Sequence, residues 1–92
     1  MDRMEIQEKL VTILAKHTSV ERSAFTPQKD LKLDLGLDSL DVAEIVYEME
    51  VAFGISISDE SAERFLRVSD TVDFVQEKMA ESAQDGLSVQ ER

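Results

Sequence analysis

The sequence predicts an all-α fold, a small antiparallel-type four-helix bundle of three principal helices and one short one, with a long loop between the first and second helices. Three observations carry that expectation. Apolar residues recur at helical spacing in three separate stretches. Capping and helix-breaking residues stand between those stretches. The chain of 92 residues is short enough to be one domain with a single modest core.

Residues 4–17 hold the first stripe, Ile6, Leu10, Ile13 and Leu14, with Glu5, Glu8, Lys9 and Lys16 between. His17 suits the end of that helix, where the backbone dipole favours a cation. Residues 18–38 then read as a connection, interrupted by Pro27 and pinned to the core by Val20, Phe25, Leu31, Leu33, Leu35 and Leu37. Gly36 is placed for a tight turn before the second helix.

Asp38 or Ser39 caps that second helix, which runs to about Phe53 and ends at Gly54. Val42, Ile45, Val46, Met49 and Phe53 make its core stripe. Asp41, Glu44 and Glu48 line a second side, and Leu40 and Tyr47 a third strip beside the acids. Ser58 opens a short helix reaching about Phe65, and Ser69 or Asp70 caps the last one, with Val72, Val75 and Met79 at core spacing. The expected domain covers 1–81, and the polar stretch 82–92 is expected to be a disordered tail.

Composition excludes several classes of function. Cysteine is absent, so the chain offers neither disulfides, thiolate metal sites nor a thiol nucleophile of its own, and with a single His no metal site is expected. Twenty acids against ten bases argue against nucleic acid as a partner. No run is apolar enough for a membrane span, and a soluble, cytoplasmic monomer is expected. The acidity is concentrated: residues 30–63 hold ten acids and one base, Lys32, and so nearly all of the net charge of −10. Such a stretch is either a well-solvated face or a surface that steers basic partners.

The run Asp34-Leu35-Gly36-Leu37-Asp38-Ser39-Leu40-Asp41, at the start of an acidic helix that leads into Phe53-Gly54-Ile55 and Asp59-Glu60, resembles the acyl carrier protein family. The likeness extends from the first stripe to Phe74 and Val75. It implies that Ser39 is the attachment serine for 4′-phosphopantetheine, delivered from coenzyme A by a phosphopantetheinyl transferase that also contacts Asp38. A serine without a neighbouring base is a poor nucleophile, so Ser39 is expected to be an acceptor and the chain not an enzyme. The phosphodiester would lie at a helix N-terminus, where free N–H groups tolerate an anion.

The same resemblance gives Leu40, Asp41, Glu44, Tyr47 and Glu48 to recognition of biosynthetic enzymes with basic docking patches. It gives Val42, Val46, Met49, Ile57, Phe65 and Leu66 to a slot for the acyl chain. The function implied is presentation of acyl thioesters in fatty-acid or related lipid and polyketide synthesis. Some positions depart from the family's commonest pattern: Tyr47, Val51 and Ala52 on the second helix, Ser58, and the pair Leu66-Arg67. These leave open whether the carrier serves a housekeeping or a specialised pathway. The alternative is an unmodified acidic helical adaptor that binds basic proteins.

Overall fold

Helix α1 (Arg3–Ala15) begins where Asp2 can close a reciprocal cap. The Asp2 carboxylate accepts from the Glu5 N–H at 2.9 Å, and the Glu5 carboxylate accepts from the Asp2 N–H at 3.3 Å. The helix buries Ile6, Leu10, Ile13 and Leu14 as expected, together with Val11. It stops two residues short of His17. The N–H groups of Lys16 and His17 donate to Ile13 and Leu14, three residues back, which tightens and ends the last turn.

The structure is a computed structural model that describes the backbone of residues 1–91 and the side chains of residues 1–81. The tail expected over 82–92 lies outside the residues described in full.

The connection after α1 contains a 3-10 turn, Arg22–Ala24, which the periodicity gave no sign of. Phe25, Leu31, Leu35 and Leu37 are buried and Val20 is partly so, but Leu33 is 87 % exposed and pins nothing. The reason is local. Asp34 and Leu35 both donate N–H bonds to the Asp30 carbonyl, at 3.0 and 3.1 Å, and Gly36 donates to the Lys32 carbonyl at 3.1 Å. The segment therefore winds as a helical turn, which puts Leu31 and Leu35 on one side and Leu33 on the other. Gly36 leaves that turn with φ +71°.

The loop is fastened to the link before the last helix. Leu31 N–H donates to the Leu66 carbonyl at 2.8 Å, Val68 N–H to Lys29 at 3.0 Å and Ser69 N–H to Pro27 at 3.0 Å. An isolated antiparallel bridge joins Asp30 and Arg67. Among the described residues there is no strand beyond this bridge.

Helix α2 (Ser39–Phe53) follows, then α3 (Asp59–Glu63) and α4 (Val68–Glu91). Helix α3 is capped by the Ser58 hydroxyl but is shorter than the sequence suggested. Arg64 and Phe65 already donate three residues back, to Ser61 and Ala62. Helix α4 starts before its expected caps, because the Asp70 carboxylate sits inside the first turn and accepts from the Leu66 and Arg67 N–H groups at 3.1 and 2.8 Å. Helix α1 packs against both α2 and α4. Leu10, Leu14, Met49, Val68, Val72 and Val75 form the solvent-free centre. Phe65 meets Phe74 edge-on, with ring centroids 5.2 Å apart.

Gly54 ends α2 in the left-handed region, at φ +66°, and its N–H donates to the Glu50 carbonyl at 2.9 Å. An added Cβ would meet nothing within 4 Å, so any cost of a side chain there comes from the backbone alone. Gly54→Ala is expected to lower stability by about 1 kcal/mol in denaturant titrations, and Gly54→Asn by less, since Asn tolerates this conformation.

Candidate functional site

Ser39 is the first residue of α2, and its place is fixed by its neighbours. The Asp38 carboxylate accepts from the Asp41 N–H at 2.9 Å, and the Asp41 carboxylate accepts from the Asp38 N–H at 3.1 Å. This reciprocal cap leaves Ser39 and Leu40 on the outside of the first turn, both exposed. The hydrogen bond from the Asp41 N–H is also the main reason the Asp38 carboxyl lies below its ordinary range. Asp38 is therefore ionised at neutral pH. The cap has a cost for an anion at this position: the N–H groups expected to be free are partly consumed by carboxylates.

No histidine stands beside Ser39. The one histidine is His17, and its Nε2 is held 2.6 Å from a Glu48 carboxylate oxygen. Glu48 is nine residues further along α2, about 13 Å by helix rise. A hydroxyl with no histidine in reach is a weak nucleophile on its own account.

Beside Ser39 opens a groove of about 460 Å³ between α2 and α3. Its apolar lining includes Val42, Val46, Phe65 and Leu66, four of the residues the sequence assigned to a slot. Lys32, Asp59 and Glu63 add charge to the lining. The other two expected residues, Met49 and Ile57, do not line it. Met49 is fully buried and Ile57 nearly so, both within the packed core. The stripe on α2 is thus two stripes: Ile45, Met49 and Phe53 face inward, while Val42 and Val46 are half-buried beside the groove.

The acidic row divides in the same way. Asp41 is engaged in the cap. Glu48 receives Lys16 Nζ at 3.1 Å as well as His17, so it ties α1 to α2 and is only 26 % exposed. Glu44 is 57 % exposed, and His17 Nδ1 lies 3.8 Å from its carboxylate. With Leu40, Tyr47 and Val51 it forms an outward strip, these three being 68, 66 and 68 % exposed. The His17–Glu48 contact was not legible beforehand, because nothing in a helical pattern pairs residues 31 apart.

Hydrogen bonding from His17 first, then from Lys16, holds the Glu48 carboxyl below its ordinary value of 4.5. A lowered carboxyl contributes stability above the unfolded value and loses it as pH falls through the folded one. Glu48→Gln should therefore cost about 1 kcal/mol near neutral pH. The gap between wild type and variant should narrow as pH falls through 4.5 and vanish below the lowered folded value, when both are followed by thermal unfolding.

Comparison with known proteins agrees with this geometry. Residues 8–75 match the family described as the phosphopantetheine attachment site. The acyl carrier protein of Rubrobacter xylanophilus is 44 % identical over 77 residues, covering 84 % of this chain and 95 % of that one. That of Guillardia theta is 40 % identical over 80 residues, covering 87 % and 99 % respectively. A solved structure of the acyl carrier protein from Enterococcus faecalis superimposes with a TM-score of 0.75 at 38 % identity, covering 85 % of this chain and 99 % of that one.

Proposed function

This chain belongs to the acyl carrier protein family, and we propose that Ser39 is the residue to which its 4′-phosphopantetheine is joined. The observation that carries the proposal is the exposed hydroxyl at the first position of α2, opening onto an apolar groove. Ser39 Oγ bonds to the phosphorus next to pantetheine, the pyrophosphate link of coenzyme A breaks, adenosine 3′,5′-bisphosphate leaves, and the serine proton passes to a base that the phosphopantetheinyl transferase must bring. Asp38, exposed and ionised beside it, is the contact offered to that enzyme. The attached group supplies a thiol, which the cysteine-free chain lacks, for carrying acyl chains as thioesters.

The groove residues Val42, Val46, Phe65 and Leu66 shelter the near part of an acyl chain, at about 0.8 kcal/mol for each methylene fully removed from water. Partner enzymes of fatty-acid or related lipid and polyketide synthesis read the strip of Leu40, Glu44, Tyr47 and Val51. Glu44 is the most exposed carboxylate of that strip, while Asp41 and Glu48 contribute charge to the surrounding field. No helix among the described residues is long and apolar enough to cross a membrane, so membrane spanning plays no part in this reading.

Incubation with coenzyme A and a phosphopantetheinyl transferase is expected to add one arm, seen by intact mass, and Ser39→Ala to add none. Wild-type protein left unmodified by several competent transferases would sink the proposal. Partner binding unaffected by Ser39→Ala, in a chain that never takes the arm, would support the adaptor reading instead. Association of the loaded carrier with a partner enzyme should slow about tenfold between low salt and about 0.5 M salt, measured by stopped flow. Glu44→Gln should remove more of that dependence than Glu48→Gln, because Glu48 already has its counter-charges.

A further inference from the structure

Ser39 stands between two carboxylates. Asp38 and Asp41 close their cap around it, and in doing so they use the N–H groups of both residues. A phosphodiester joined to Ser39 therefore enters a site that is already negative. The usual compensation from a helix N-terminus is reduced there, because the Asp41 N–H in the first turn already points at the Asp38 carboxylate. Some cation has to offset the added charge or leave the arm repelled into solvent.

Among the described residues one lines the groove. Lys32 is the single base in residues 30–63 and the only base that lines the groove with Ser39. Its backbone is held from both sides: its N–H donates to the Asp30 carboxylate at 2.9 Å, and its carbonyl accepts from Gly36 at 3.1 Å. Leu31, just before it, is fastened to Leu66 on the far side of the groove. Lys32 is also uncommitted. Arg3, Lys16 and Arg22 each have a carboxylate partner, in Asp73, Glu48 and Glu8 respectively. Among the described residues Lys32 makes no ion pair, although Asp59 and Glu63 line the same groove.

We propose that Lys32 is a positioning residue whose ammonium holds the phosphodiester on Ser39 and so aims the arm along the groove. The inference rests on the reading of Ser39 given above. With the phosphate drawn toward Lys32, the arm leaves Ser39 on the side of Val42 and Val46, away from the outward strip of Leu40, Glu44 and Tyr47. A partner that brings its own basic residues to Ser39 takes over the phosphate from Lys32 and frees the arm to leave the groove. Docking and release of the arm are then one electrostatic exchange.

A thermodynamic cycle tests this. Unfolding midpoints are measured for wild type, Lys32→Met and Lys32→Arg, each with and without the arm, after intact mass has established modification. In low salt, Lys32→Met is expected to lower the midpoint of the modified form by about 2–4 °C more than that of the unmodified form. Lys32→Arg should show no such excess, and the excess should vanish in about 1 M salt. The phosphorus resonance of the arm should move in Lys32→Met and return in Lys32→Arg. Equal changes with and without the arm, or an excess that survives high salt, would overturn the role of Lys32 while leaving Ser39 as the attachment residue. A wild type that takes no arm would remove both.

Discussion

The reciprocal cap between Asp38 and Asp41 is the interaction on which the site depends. It stops α2 at Ser39, so that the serine is the first helical residue and is exposed. The rotation of the helix is set separately, by burial of Ile45, Met49 and Phe53 against α1 and the core. Start and rotation together decide what each remaining side chain can do. Val42 and Val46 fall beside the groove, and Leu40, Glu44, Tyr47 and Val51 fall outward. A start displaced by one residue would carry the first side chain about 100° around the helix axis, away from the groove mouth. The position of Ser39 is therefore specified by two hydrogen bonds and three buried apolar residues, with no part of it depending on a catalytic arrangement.

The concentration of acids in the middle of the chain has two uses that sequence cannot separate. Several of those carboxylates are structural. Asp30 accepts from the Lys32 and Leu33 N–H groups at 2.9 and 2.8 Å, Asp34 from the Asp30 N–H at 2.7 Å, and Glu50 from the Ile57 N–H at 2.8 Å. Asp38, Asp41 and Glu48 are engaged as well. A domain with a small core and a long loop has many backbone donors that no helix satisfies, and short acidic side chains satisfy them locally. What is left for partners is a smaller set in which Glu44 is the member on α2. Net charge still steers an approaching molecule, but the contacts it finds on arrival are fewer than the charge suggests.

Much of this was legible in the residues. The helical class, both ends of α2, the core of α1 and the distance in sequence between Ser39 and the one histidine follow from spacing, caps and composition. The errors share one cause, which is that a pattern reports periodicity and not partners. Leu33 looked like an anchor because it is a leucine among leucines, yet the turn closed by Asp30 rotates it outward. Met49 and Val46 belong to one apolar stripe in sequence, and only the position of α3 assigns one to the core and the other to the groove. Glu48 reads as a surface acid in sequence because the residues bonded to it, Lys16 and His17, lie at the end of a different helix. Helix ends moved by a residue or two wherever a side chain from inside the next turn, such as Asp70, did the capping.

The chemical poverty of Ser39 is then consistent with everything around it. A carrier must keep a reactive thioester intact between enzymes, and each nucleophile in its own chain would be a route for losing it. This chain has no cysteine, and its one histidine is paired with Glu48 on the side of α2 where α1 packs. The exposed hydroxyl at the helix start is itself consumed once the arm is attached. The surrounding carboxylates make this surface unfavourable for hydroxide and other anions, an effect that salt screens because the site is exposed. The same negative field would push the arm's own phosphate outward, and this is why a single lysine among ten acids matters more than its share of the composition suggests. Protection of the cargo and retention of the arm make opposite electrostatic demands, and the position of Lys32 beside Ser39 lets one surface meet both.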